Sequence, residues 1–138
     1  MIRTAKAHWE GNLKEGKGTL STQSGVLEST NYSFKTRFEE STKGTNPEEL
    51  LAAAHAGCFT MAVSSMLHAK GFIADKLDTE ATLTMEALKI TGIHLNIAGV
   101  IQGITAKEFS IITKDAERNC LISKVLNIPI TSEVHFEI

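Results

Sequence analysis

At 138 residues, with 42% hydrophobic and 22% charged residues, the chain suits one domain with a working core and is too apolar for disorder. A net charge of −2 without a clustered Lys/Arg tract argues against nucleic acid and anionic membrane surfaces as partners. MIRTAKAHWEGN lacks the apolar run of a signal peptide, and the long apolar segment Leu50 to Leu67 is broken by His55, Thr60, Ser64 and Ser65, so a soluble cytoplasmic protein that spans no membrane is expected.

Short extended segments come first. Ala7–Glu10 and Leu13–Thr22 flank a turn at Gly11-Asn12, KEGKG supplies a second, Gly-rich bend, and Ser24-Gly25 marks another turn. NYSFKTRF alternates, with Tyr32, Phe34, Thr36 and Phe38 on one side, which predicts a strand carrying Arg37 on the face opposite the aromatics. The loop EESTKGT then leads to a helix start: Asn46 as N-cap, Pro47 at the first helical position, and Glu49 completing a box-like pair with Asn46. No breaker follows until Gly71, so about 24 residues, ~36 Å of helix, are expected. Apolar residues on nearly all sides predict a central, surrounded helix.

Two alternating segments follow, Leu77–Ala87 and Ile93–Ile101. Thr105 and Glu108 form a capping box for a second helix, with Ile104 and Phe109 as its staple and Phe109, Ile112, Ala116 and Cys120 along one face. Asn119 is placed to cap the chain anew, making CLISKVL a separate short helix. The segment IPITSEVHFEI alternates Ile128, Ile130, Val134, Phe136 and Ile138 against polar partners, as a half-buried strand does. Strands joined mostly by short turns predict an α+β fold with mostly antiparallel sheets, organised as a single domain over residues 1–138.

Cys58 and Cys120 are the only cysteines, 62 positions apart and outside any CxxC motif. Two inert thiols or a redox pair are the alternatives. Ala54 and Ala62 lie one turn either side of Cys58 and leave room beside its sulfur, for plain helix packing or for a substrate. His55, three residues earlier, could face the same way as a base, but no Asn or Asp stands out to orient it. The five histidines show no metal-ligand spacing, so no metal is expected.

GTNPEELLAAAHAGCFTMAVS resembles the signature of the OsmC/Ohr family, thiol peroxidases of organic hydroperoxide resistance. AHWEGNLKEGKGTLSTQSGVL is similar to the N-terminal hairpin of its OsmC branch, TRFE to its arginine strand and AERNCLISKVL to its second-cysteine helix. The resemblance implies Cys58 as the peroxidatic cysteine, Cys120 as the resolving one, and Arg37 and Glu48 as the pair that organises the first thiolate. The chemistry suits those residue types. Splitting an O–O bond needs a thiolate, a guanidinium stabilises it without losing its own charge, and a carboxylate fixes the guanidinium's plane. A sulfenic acid at Cys58, followed by a Cys58–Cys120 disulfide, would complete the cycle. The family's fold further implies sheets wrapped around long central helices in an intertwined homodimer with sites at the interface.

Helix geometry agrees: ten residues put Glu48 and Cys58 ~15 Å apart along one axis, too far for one Arg to bridge within a chain. No cofactor is implied beyond an external dithiol reductant of the lipoyl type. The apolar face around Cys58, with Phe59 and Met61, favours alkyl hydroperoxides. Leu121 stands where the family has proline after its second cysteine, which would let a helix run through Cys120 and either bury it or turn it away. The interval between the cysteines is a few residues short for the branch, pointing to a trimmed loop near LKITG. The competing reading is a non-catalytic, stress-associated or small-ligand-binding module with inert thiols.

Overall fold

The computed structural model describes residues 1–39 and 43–137; residues 40–42 of the expected loop and Ile138 of the expected final strand lie outside the described residues. Two compact units divide the chain, Met1–Leu50 and Leu51–Ile138.

The first unit is an antiparallel meander of β1 (Ala5–Glu10), β2 (Lys17–Thr22) and β3 (Thr30–Tyr32). Gly18 pairs with Trp9 on one side and Tyr32 on the other, and the two rings meet edge to face across it with centroids 5.6 Å apart. A Cβ on Gly18 would come within 2.5 Å of the Tyr32 ring and 2.6 Å of Trp9, so only glycine lets this aromatic pair close. Gly25 turns at φ +80 where the Ser24-Gly25 bend is expected.

After β3 the chain departs from the alternating pattern. Phe34–Phe38 is a short helix, α1, not a strand. Ser33 accepts from the Thr36 backbone N–H while its own N–H donates to Thr36 Oγ1 at 2.7 Å, a reciprocal capping box. Phe34 and Phe38, one turn apart, then stack at 4.8 Å. These local hydrogen bonds outweigh a polar/apolar alternation that has no sheet neighbour to reward it.

α2 (Pro47–Ala69) starts and ends where its punctuation predicts. Asn46 Oδ1 accepts from the Glu49 backbone at 2.7 Å, but the Glu49 carboxylate turns to the Thr45 hydroxyl at 2.8 Å rather than back to the cap. Gly71, at φ +86, closes the other end, with Phe72 N–H bonded to the Leu67 carbonyl.

In the second unit β4 (Ala74–Glu86) and β5 (Lys89–Ile101) form a long antiparallel hairpin, and β6 (Ile130–Glu137) pairs parallel with β5 after a crossover through α3 (Ala106–Asn119) and α4 (Leu121–Val125). The hairpin turns on Ala87 and Leu88 alone, at φ 49 and 63, and Leu88 is the first residue of the LKITG segment near which a trimmed loop is expected. Ile93, Leu95, Ile97 and Ile101 of β5 meet Phe59, Val63 and Leu67 of α2 and Phe109, Ile112 and Ala116 of α3 in one buried core. Burying each of the larger side chains contributes ~1.5–3 kcal/mol.

α2 is not surrounded, contrary to the even spread of its apolar residues. His55, Phe59, Val63 and Leu67 are buried, whereas Ala53, Ala54, Gly57, Met61, Ser64 and Ser65 are exposed. By length and composition α2 could cross a membrane, with mean hydropathy 1.5 over its most apolar window. Its buried face is nonetheless committed to the protein core, and Thr60 is bonded to Thr79 of β4 at 2.7 Å.

Candidate active site

In the first unit, Arg37 sits in the last turn of α1 and Glu48 in the first turn of α2. Arg37 Nε donates to Glu48 Oε1 at 2.8 Å, and Nη2 lies 2.7 Å from the same oxygen as an ion pair. The carboxylate is nearly buried and the guanidinium close to half exposed, with side-chain accessibilities of 11% and 44%. Glu48 Oε2 is buried and has no hydrogen-bond partner among the described residues. One oxygen thus fixes the guanidinium's plane. Arg37 also lies 5.2 Å over the Phe38 ring. It lines a cavity of about 320 Å³ together with Trp9, Leu13, Tyr32, Ser33, Phe34 and Phe38, so the cation faces a mainly aromatic and aliphatic pocket.

The second unit carries both cysteines as free thiols. Cys58 is half-buried on α2 against the core, and on its other flank Ala54 and Gly57 are exposed, with open space where a Gly57 Cβ would point. Phe59, expected to line the site, is fully buried in the core instead, and Met61 is 75% exposed. Cys120 is buried at 2% exposure. Leucine after it does not let the helix run through: Cys120 has φ −64 and ψ 149, ending α3 and starting α4. Its own sulfur is the N-cap, accepting from the Ser123 backbone at 3.4 Å. Asn119, expected as the cap, is instead the last residue of α3 and donates to Asp115.

His55 does not pair with Cys58. It is wholly buried, and its Nε2 lies 2.7 Å from the Ser123 hydroxyl. Burial pushes its pKa below the ordinary value. Among the described residues no cluster of three or more His, Cys, Asp and Glu side chains is placed to hold a metal ion. The structure therefore unites Arg37 with Glu48 in one unit and sets Cys58 and Cys120 on neighbouring elements of the other. Ser123 enters the Cys120 site and Trp9 and Tyr32 the Arg37 site; Ser123 and Trp9 lie within AERNCLISKVL and AHWEGNLKEGKGTLSTQSGVL, but those motifs assign them no role.

Two small sheets with helices make this a mixed α+β fold, one unit holding the Arg37–Glu48 pair and the other the two free thiols. The chain belongs to the OsmC family: it matches the family described as OsmC-like protein over residues 39–135. It is 47% identical over 133 residues to peroxiredoxin OsmC of Escherichia coli (strain K12), covering 94% of this chain and 92% of that protein. With the organic hydroperoxide resistance protein OhrA of Bacillus subtilis (strain 168) it shares 34% identity over 101 residues, covering 67% and 68% of the two chains. Its fold superimposes on that of an OsmC-like protein from Vibrio cholerae with a TM-score of 0.75 at 15% identity, over 98% of this chain and 99% of the other. An OsmC-like protein from Mycoplasma pneumoniae gives 0.74 at 16% identity, over 99% and 97%. The family role is that of a peroxidase.

Proposed function

We propose that the protein reduces organic hydroperoxides to alcohols in the cytoplasm, with Cys58 as the attacking thiolate. The observation that carries this reading is the Arg37 guanidinium, locked by Glu48 at the wall of an aromatic cavity. Such a pocket favours a peroxide with an alkyl or aryl body, and the cation stabilises both the thiolate and the departing alkoxide. Cys58 attacks the terminal peroxide oxygen, the O–O bond breaks, and the alkoxide takes a proton to leave as the alcohol. Cys58 is left as a sulfenic acid, which Cys120 converts to a disulfide with loss of water. An external dithiol, of the lipoyl class in our reading, then returns both thiols. No bound cofactor takes part in this sequence.

Glu48 and Cys58 stand ten residues apart on α2, ~15 Å along the axis, while Arg37 is held by Glu48. The pair therefore serves the Cys58 of a second copy, in a homodimer whose sites lie at the interface. The exposed small-residue face of α2 is the surface such a copy would cover.

Cumene hydroperoxide should titrate away the Cys58 thiol rapidly, with turnover under a dithiol. Cys58→Ser should abolish turnover and Cys120→Ser should allow a single round of oxidation. Full activity in Cys58→Ser would end this reading and leave a module with inert thiols.

A further inference from the structure

The buried junction between α2 and α4 holds three side chains in a line. Cys120 Sγ is 3.0 Å from Ser123 Oγ, and Ser123 Oγ is 2.7 Å from His55 Nε2. All three are shielded, at 2%, 7% and 0% exposure. Ser123 has one hydroxyl proton, so it donates to one neighbour and accepts from the other. If Cys120 is a thiol, its S–H points to Ser123 and the Ser123 O–H points to an unprotonated Nε2. If Cys120 is a thiolate, the same hydroxyl reverses and donates to sulfur, joined there by the Ser123 backbone N–H. Passing from one arrangement to the other moves one proton from sulfur to imidazole.

We propose that His55, acting through Ser123, is the base that takes the Cys120 proton as this thiol attacks oxidised Cys58; the proposal rests on the peroxidase reading above. The proton leaves Cys120 for Ser123 as the Ser123 proton passes to His55 Nε2. The thiolate bonds to the Cys58 sulfur, the S–O bond of the sulfenic acid breaks, and the departing hydroxide takes the proton His55 holds. One thiol and one sulfenic acid become a disulfide and water. Burial keeps His55 unprotonated and ready to accept.

Other charged groups on the elements meeting here are engaged or turned outward. Glu117 bonds Lys114 and Ser132, Asp115 accepts from Asn119, and Arg118 and Lys124 are exposed. His55 is the titratable group hydrogen-bonded into the line.

The test uses no peroxide. Cys58, the more exposed thiol, is tagged with sub-stoichiometric dithiobis(nitrobenzoate), and the thionitrobenzoate released when Cys120 displaces it is followed by absorbance. Ser123→Ala and His55→Gln should slow that release by ~100-fold near neutrality, the scale of general-base catalysis. The deficit should shrink at alkaline pH, where hydroxide takes over the role of the base. Ser123→Thr, which keeps the hydroxyl, should recover most of the rate, and it covers the case of an unfolded alanine variant. Parent-like release in Ser123→Ala overturns the relay, as does a deficit equal at every pH, the mark of a displaced Cys120. If hydroperoxide leaves Cys58 untouched while the pH-dependent deficit stands, the peroxide reading fails and the relay survives.

Discussion

Arg37 aims two nitrogens at a single oxygen of Glu48, a geometry that a lysine cannot copy because its ammonium is one point of charge. Losing one charge-assisted bond of ~1.5–3 kcal/mol should lower the rate of Cys58 oxidation by roughly 10- to 100-fold in Arg37→Lys. Stopped-flow loss of the Cys58 thiol measures this, and a lysine variant as fast as the parent would remove Arg37 from the reaction. Arg37, Glu48 and both cysteines are assigned their roles by motif resemblance, because each sits in a short, distinctive run of residues, and the structure adds only the Arg37–Glu48 contact. Ser123 is assigned no role that way. Its link to His55 joins residues 68 apart, and nothing local in LISKV marks a serine that will meet a histidine of another helix. The aromatic cavity is equally silent, since it arises when β1 and β3 bring Trp9 and Tyr32 together across Gly18.

Elements whose periodicity and end signals agree are readable in advance, as the bounds of α2 and the start of α3 show, whereas the segments expected at Leu77–Ala87 and Ile93–Ile101 are the longer strands Ala74–Glu86 and Lys89–Ile101. Where two signals compete, the local hydrogen bond wins. NYSFKTRF reads as a strand by alternation, but Ser33 and Thr36 cap each other and coil it. At Cys120 the missing proline is replaced by the sulfur itself, which stops one helix and caps the next. The hairpin turn shows the opposite case, a shape that its residues resist. Ala87 and Leu88 both adopt positive φ, which suits Asn and Gly, and Leu88 is 81% exposed, so its side chain gains little. Replacing the pair by Asn-Gly should stabilise the protein by about 1 kcal/mol, less than the full left-handed penalty because glycine also loosens the unfolded chain. Urea unfolding gives the answer; a lower midpoint would mean that the Leu88 side chain has a partner.

For the whole molecule, the uncovered face of α2 matters most. Its apolar residues encircle the helix, yet a single chain buries only one side; in the proposed dimer a second copy covers the other. Gly57→Leu meets open space in the protomer and improves helix propensity by roughly 1 kcal/mol, so it should leave the fold intact while obstructing a second copy. Analytical ultracentrifugation should show a parent dimer and a monomeric, inactive variant. A parent that sediments as a fully active monomer would contradict the shared site.

The parallel pairing of β6 with β5 carries a cost during synthesis. β5 is the central strand, rich in isoleucine, and one of its edges waits for a partner made about 30 residues later, ~2–6 s at ordinary translation speed. Until then a greasy, hydrogen-bond-hungry border stands open to neighbouring nascent chains. Ribosomes that stall before Ile130 should therefore yield clumped fragments, whatever the sulfur chemistry of the finished protein.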